Sequence, residues 1–111
     1  MRLWLAIQLV SLAVISPRIV SAQHGDAAAG KAVYTKSCAT CHGAGGEGKG
    51  AIAKALKVEM RHLGSPEVQA KSDAELRKDV LDGVGKMKPV KGLSDSDLSN
   101  TIAYLRTLGK K

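Results

Sequence analysis

The chain has 111 residues, with 17 Lys and Arg against 10 Asp and Glu, two Cys, one Trp, two Tyr and no Phe. This length suits one small domain and excludes a multidomain enzyme. Apolar residues fill 15 of the first 22 positions, whereas 12 of the 34 apolar residues in the rest of the chain are alanine. Small domains with so few large apolar side chains often need a metal, disulfides or oligomerisation to be stable. We therefore expect the chain to fold around a group that it does not itself encode.

Residues 1–22 have the pattern of a cleaved secretory signal peptide. A positive charge at Arg2 precedes an apolar run over 3–15, and small residues ending at Ala22 mark a cleavage site before Gln23. The apolar run has only 13 residues, whereas a transmembrane helix needs about 20. The pattern therefore predicts removal of this segment during export to the periplasm.

The predicted mature domain comprises residues 23–111 and is basic. Removal of Arg2 and Arg18 lowers the formal net charge from +7 to +5. A basic domain can bind nucleic acid, anionic lipid or the acidic face of a protein. Export argues against nucleic acid, and the dispersed lysines argue against a polybasic membrane tag. Acidic protein faces are therefore the expected partners.

The mature chain shows helical periodicity and helix caps, with no sustained alternation of apolar and polar residues and no internal repeat. The predicted elements are, in chain order, a helix from Asp26 to Cys41, a glycine-rich loop over 43–50, a short turn over 52–56, a brief helix over 65–70, a capped helix over 72–82 and a last helix from Ser94 to Leu108. This order predicts an all-α fold with long loops.

A C-x-x-C-H motif lies at the end of the first predicted helix, as Cys38-Ala39-Thr40-Cys41-His42. Two thiols at this spacing can form thioether bonds to the two vinyl groups on one edge of a haem, and the histidine that follows can coordinate the iron. The motif therefore predicts covalent haem attachment through Cys38 and Cys41, with His42 as an axial ligand. The haem also supplies the missing core.

Three other interpretations of the cysteine pair are weaker. A thioredoxin-like motif requires a βαβ setting, and no strand is predicted. A zinc site requires four ligands, which two cysteines and scattered histidines do not provide. A disulfide between Cys38 and Cys41 would close a very small loop and stabilise little.

The second axial ligand must come from elsewhere in the chain, and the candidates are Met60, Met87, His24 and His62. Met87 is favoured because it lies in an irregular loop between the last two helices, with Pro89 stiffening the approach. Met60 follows His42 by only 18 residues, which leaves little chain to pass around a haem edge. Met87 is therefore the predicted ligand opposite His42.

These features together resemble a small bacterial class I c-type cytochrome over essentially all of 26–108. The resemblance rests on the order Asp26, Gly30, Tyr34, the C-x-x-C-H motif, Met87-Lys88-Pro89 and a last helix containing Tyr104. It implies a cytochrome c-like fold, with three to five helices wrapped around one covalent haem ligated by His42 and Met87. It also implies a close approach of the first and last helices at Gly30, with Tyr34 packed near Tyr104.

The resemblance implies a soluble monomeric one-electron carrier that shuttles between respiratory or dehydrogenase complexes, contacts membrane-bound complexes transiently and is not an enzyme. Two iron ligands from the protein leave no open position for ligand chemistry, and no catalytic set of side chains is recognisable in the sequence. Two alternatives remain. One is a haem-based ligand sensor from which Met87 dissociates, and the other is a haem subunit of a larger oxidoreductase.

The sequence departs from the family pattern at Ala51, where such cytochromes usually have a proline whose carbonyl accepts a hydrogen bond from the ligand histidine. The carbonyl of Ala51 can still accept this bond, but the loop is expected to be less rigid. The mature chain also has no Trp, which commonly contacts a haem propionate, so that Arg61, His62 and Lys71 are the candidates for that role.

Lysines bracket both segments that are expected to reach the exposed haem edge. They are Lys49, Lys54 and Lys57 after the C-x-x-C-H motif and Lys86, Lys88 and Lys91 around Met87. Such a ring would steer the protein toward acidic partner faces by long-range attraction. The competing interpretation is that these lysines only increase solubility.

Overall fold

The computed structural model describes residues 25–110, so the predicted signal peptide over 1–22 and the candidate ligand His24 lie outside the described residues. Six helices follow one another in this part of the chain: α1 (Ala27–Ser37), α2 (Ala39–His42), α3 (Gly50–Leu56), α4 (Pro66–Gln69), α5 (Asp73–Asp82) and α6 (Asp95–Leu108). No strand occurs among these residues, and the β-type pairing is an isolated bridge between Val84 and Met87. The all-α prediction is confirmed.

The described helices outnumber the three to five that were expected, because α2 and α4 are single turns of four residues each. The predicted continuous helix through Cys41 is interrupted at Cys38, where φ is −124° and ψ is −37°. The turn expected over 52–56 is a full helix, α3, that begins at Gly50. Across residues 25–110 no helix combines the length and apolar sequence needed to cross a membrane; the longest, α6, has 14 residues.

The starts of α1, α4, α5 and α6 lie where the sequence predicts them, because polar side chains satisfy the free N–H groups of their first turns. Asp26 accepts hydrogen bonds from the backbone of Ala28 and Ala29 at the start of α1. Ser72 and Ser94 form complete capping boxes at the starts of α5 and α6. These caps fix where each helix begins along the chain.

The main tertiary contact is the packing of α1 against α6. Gly30 makes it possible, since a Cβ at this position would collide with backbone atoms of Asn100 and Thr101. Beside the crossing, Tyr34 of α1 packs into a buried cluster with Leu105 and Leu108 of α6. The close helix approach that the resemblance implied at Gly30 is confirmed.

The segment from α4 to α5 is attached to α6 by two polar side chains. The Nε2 atom of Gln69 donates to the carbonyls of Leu63 (2.9 Å) and Leu105 (3.0 Å). The guanidinium of Arg106 donates to the carbonyl of Gln69 (2.9 Å) and to the carboxylate of Asp73 (2.7 Å). These bonds hold the middle of the chain against the last helix although few apolar side chains are available.

We expect Gly30→Ala to destabilise the protein by about 1–3 kcal/mol or more, because the added methyl group forces α1 away from the backbone of α6. Gly50→Ala is the matched control. Gly50 begins α3, and a Cβ there has no neighbour within 4 Å. Denaturant unfolding followed by circular dichroism measures both variants. Equal stability of the two would mean that the crossing does not depend on Gly30.

Candidate functional site

The C-x-x-C-H motif forms a compact turn between α1 and the glycine-rich loop. Cys38 lies at the break between the helices, and its carbonyl accepts hydrogen bonds from the backbone of Cys41 (3.2 Å) and His42 (3.0 Å). Cys38 is the N-cap of α2, and Cys41 lies three residues later within that helix. Both are free thiols; Cys38 is partly buried and Cys41 is exposed.

Burial raises the pKa of the Cys38 thiol, and the neighbouring Cys41 raises it further, because each disfavours the thiolate. Cys38 also packs against the core cluster of Tyr34, Leu105 and Leu108. This cysteine is therefore held by the α1–α6 contact, whereas Cys41 faces outward from it.

His42 is partly buried, and among the described residues its Nδ1 atom is enclosed without a hydrogen-bond partner. Burial lowers the pKa of His42, since a covered imidazolium ion loses its hydration. The imidazole is therefore neutral near pH 7, which is the form that coordinates a metal. The carbonyl of Ala51 does not accept the bond expected from Nδ1. Ala51 lies in the first turn of α3, where its carbonyl is available to the helix's own hydrogen bonding.

The loop that follows His42 is held by two tyrosines. The hydroxyl of Tyr34 donates to the carbonyl of Gly43 at 2.6 Å, and that of Tyr104 donates to the carbonyl of Ala44 at 3.2 Å. The two rings pack with centroids 5.1 Å apart, as the resemblance implied. Tyr34 is 1% exposed, and this burial is the main cause that raises the pKa of its phenol, so the hydroxyl remains a hydrogen-bond donor at any pH near neutrality.

The same loop closes back onto the motif through backbone bonds. Gly48 donates to the carbonyl of His42 at 2.7 Å, and Lys49 donates to the carbonyl of Cys41 at 3.0 Å. The side chain of Glu47 accepts from the backbone of Gly45 at 2.8 Å. His42 is therefore surrounded by fixed backbone on the side of α1 and the glycine loop.

Met87 lies in a tight turn after α5. Its N–H donates to the carbonyl of Val84 (2.8 Å), and its own carbonyl accepts from the N–H of Val84 (3.1 Å). Gly83, with φ of +78°, precedes this turn, and a Cβ there would meet the carbonyl of Met87 at 2.5 Å. The backbone of Val90 donates to Val80 of α5 at 2.9 Å. The Met87 turn is therefore attached to α5 on one side.

The structure brings Cys38, Cys41 and His42 together in one turn, whereas Met87 belongs to a separate segment. That segment is joined to α3, where the Nζ atom of Lys86 donates to the carbonyl of Leu56 at 2.7 Å. This bond joins positions 30 residues apart in the chain.

The other candidate ligands have contacts of their own. Met60 packs on the glycine loop, where a Cβ added to Gly48 would lie 3.0 Å from the Cβ of Met60. The Nδ1 atom of His62 accepts from the backbone of Gly64 at 2.8 Å. Both side chains line an open cleft together with Arg61. Neither candidate lies in a turn like that of Met87.

The three residues suggested for a propionate differ in their contacts. Arg61 and His62 line the same cleft, whereas Lys71 forms an ion pair with Asp79 of α5 at 2.6 Å. Lys71 is therefore engaged elsewhere, and Arg61 and His62 remain as candidates.

Three large apolar side chains remain exposed among the described residues: Leu56 at the end of α3, Leu81 in α5 and Val84 in the Met87 turn. Two of them, Leu56 and Val84, lie on the segments that the bond from Lys86 to Leu56 joins. A porphyrin is a flat apolar group that such side chains can cover. Two free thiols, a neutral partly buried imidazole and uncovered apolar side chains together fit a covalently bound haem.

The six bracketing lysines are all exposed: Lys49, Lys54, Lys57, Lys86, Lys88 and Lys91. Within residues 25–110 none of them forms an ion pair with a carboxylate. By contrast, four basic side chains nearer α5 and α6 are each paired with an aspartate: Lys71, Arg77, Lys78 and Arg106. Within the part of the chain that the structure describes, no ion pair therefore neutralises the positive charge around α3 and Met87.

Sequence reasoning missed the hydrogen bonds that hold this site. It predicted that Tyr34 packs near Tyr104 but not that the two hydroxyls bind the loop after His42. It also treated Lys86 as a surface charge. The acceptors are backbone carbonyls, which every residue carries, so no sequence signal identifies them.

Comparison with known proteins agrees with this geometry. A profile of the family described as cytochrome c matches residues 27–109. Cytochrome c-554(547) of Halothiobacillus neapolitanus is 40% identical over 89 residues, covering 76% of this chain and 98% of that protein. Cytochrome c-555 of Chlorobaculum tepidum is 36% identical over 86 residues, covering 72% of this chain and 74% of that protein. Cytochrome c6 of a Picosynechococcus species is 37% identical over 109 residues, covering 95% of this chain and 92% of that protein.

Proposed function

We propose that this chain, which belongs to the cytochrome c family and carries electrons on one covalently bound haem c, is a periplasmic shuttle between larger redox complexes. The observation that carries the proposal is the turn over 38–42, in which two free thiols and a neutral imidazole lie together. When bound, the haem supplies a reversible one-electron iron couple. The residues around it attach it, coordinate its iron and limit access to it.

In this proposal Cys38 and Cys41 form the two thioether bonds, and His42 coordinates the iron through Nε2. Three observations support it. Cys38 caps the helical turn that contains Cys41 and His42, burial lowers the pKa of His42, and the Nδ1 atom of His42 is enclosed by protein. The loop bonds of Tyr34 and Tyr104 limit movement of His42 between oxidation states. A fixed ligand favours fast one-electron transfer because little reorganisation accompanies it.

We assign the second axial position to Met87. A neutral thioether stabilises Fe(II) and raises the reduction potential relative to a second imidazole. If His42 and Met87 both coordinate the iron, a bound haem would have no open position for oxygen or peroxide. A carrier therefore fits this ligand set better than a gas sensor or an enzyme does.

Replacement of Met87 tests the ligand assignment. We expect Met87→His to remain folded, to lose the methionine–iron charge-transfer band at the red end of the oxidised spectrum, and to have a lower midpoint potential. The decrease should be a sizeable part of the about 0.8 V range over which axial ligands set haem potentials. Met60→Leu is the control and should change neither the band nor the potential. Loss of the band in Met60→Leu, with Met87→His unchanged, would assign the ligand to Met60 instead.

The proposed location depends on the N-terminal segment. The match to cytochrome c6 covers 95% of this chain and must therefore include most of residues 1–22. The apolar run and the small residues before Gln23 support cleavage during export. We expect haem-containing protein from the periplasm to begin at Gln23, as determined by intact mass. A mature chain that retains residues 1–22 would instead indicate a membrane anchor.

We further propose that redox partners with acidic faces dock where the six unpaired lysines surround α3 and Met87. These charges are exposed and lack internal carboxylate partners among the described residues, so their field extends into solvent. The bond from Lys86 to Leu56 brings the two lysine-bearing segments next to each other. Attraction of this kind increases the association rate, and salt screens it over a Debye length of about 8 Å at physiological ionic strength.

Small oxidants of opposite charge test this docking surface. We expect Lys88→Glu to slow oxidation of the ferrous protein by hexacyanoferrate(III) roughly three- to tenfold at low salt, and the effect should disappear at high salt. Oxidation by the cationic tris(phenanthroline)cobalt(III) should become faster. Lys31→Glu, on the exposed side of α1, makes the same change in net charge and should have a much smaller effect. Equal effects of the two variants would show that only net charge matters and that the lysine ring has no special role.

A further inference from the structure

We propose that Lys86 is a positioning residue: its bond to the end of α3 holds the Met87 turn closed over the iron and so resists replacement of Met87 by outside ligands. The inference rests on the proposed role of Met87 as an axial ligand. It goes beyond the identity of the ligand and concerns one contact next to Met87. This contact is the hydrogen bond from Nζ of Lys86 to the carbonyl of Leu56 at 2.7 Å.

The acceptor lies at a helix end shaped to present it. At the end of α3 the backbone of Val58 donates to Ala53 (3.0 Å) and that of Lys57 donates to Lys54 (3.2 Å), which is the pattern of a Schellman turn. Lys57 has φ of +54°, a left-handed conformation that side chains other than glycine rarely adopt. Leu56 is the last residue of α3, so its carbonyl has no partner within the helix and accepts from Lys86.

The donor lies in a rigid turn that transmits the restraint to Met87. Val84 and Met87 bond to each other in both directions, leaving Gly85 and Lys86 as the two central residues. Gly85 has φ of +54°, as the first central position of a type II′ turn requires. Met87 directly follows Lys86 at the base of this turn, so a bond that fixes Lys86 also limits how far Met87 can move.

The hydrogen bond from Lys86 joins the Met87 turn to α3, and the described residues show no other hydrogen bond between them. Among the described residues, the other hydrogen bonds from positions 83–89 remain within the turn or run to Asp79 of α5. Breaking the bond between Lys86 and Leu56 therefore frees the turn to swing away from α3 while it stays attached to α5. With a haem bound, such a movement would draw the Met87 thioether away from the iron and would let another ligand bind.

Imidazole binding to the oxidised holoprotein measures this opening, because imidazole replaces the methionine and abolishes its charge-transfer band. We expect Lys86→Ala to bind imidazole roughly three- to tenfold more tightly than the unchanged protein does, which is the effect of losing one exposed hydrogen bond from a cation to a helix-end carbonyl. Lys86→Arg keeps a donor and should restore most of the resistance. Since Lys86 is exposed, these variants should retain the fold.

Lys88→Ala is the matched control, because it removes the same charge on the other side of Met87 and its side chain has no hydrogen-bond partner among residues 25–110. It should leave imidazole affinity within about twofold of the unchanged protein, as expected for a solvated surface lysine. Equal affinity in Lys86→Ala and Lys88→Ala would overturn the proposal.

A Met87→Ala variant separates this outcome from a failure of the ligand assignment. If Met87 is the ligand, Met87→Ala binds imidazole far more tightly than any lysine variant does. If its affinity equals that of the unchanged protein, the ligand assignment itself fails, whatever the lysine variants show.

Discussion

The close approach of α1 to α6 at Gly30 is the contact on which the functional site depends. Because the two backbones touch there, Tyr34 is driven into the cluster with Leu105 and Leu108, and its hydroxyl reaches the carbonyl of Gly43. That carbonyl belongs to the residue immediately after His42. A glycine in the first helix thus determines, through one buried tyrosine, where the chain emerges from the C-x-x-C-H turn. The packing of the helices and the placement of the candidate iron ligand are consequences of the same approach.

The polar contacts compensate for a shortage of apolar side chains. Gln69 and Arg106 attach the segment between α4 and α5 to α6 through backbone carbonyls rather than through a wide apolar face. Leu56, Leu81 and Val84 meanwhile stay exposed among the described residues. A fold built in this way can position side chains around a prosthetic group while leaving to that group much of the apolar contact that ordinarily stabilises a domain of this size.

The sequence predicted those features that depend on local chemistry. The starts of α1, α5 and α6 were predicted correctly because Asp26, Ser72 and Ser94 cap these first turns, and such caps act within three residues. The C-x-x-C-H motif is recognisable because its chemistry depends on spacing alone. The break at Cys38 was not predicted, because the helical periodicity of the sequence continues through Cys41. The absence of a hydrogen bond between His42 and Ala51 was not predicted either. The helix α3 begins earlier than the sequence indicated, so that Ala51 lies in its first turn.

The two sides of the proposed haem site are restrained to different degrees, and this difference bears on how a carrier works. His42 is surrounded by backbone bonds from Cys38, Gly48 and the tyrosine-held loop, whereas the Met87 turn is joined to α3 through Lys86. Lys86 also belongs to the exposed positive surface proposed for docking. An acidic group of a partner that attracts its ammonium therefore competes with the carbonyl of Leu56 for the same donor. If both proposals hold, docking and retention of Met87 as a ligand would be energetically linked, and the modest free energy of one exposed hydrogen bond would limit the strength of the link.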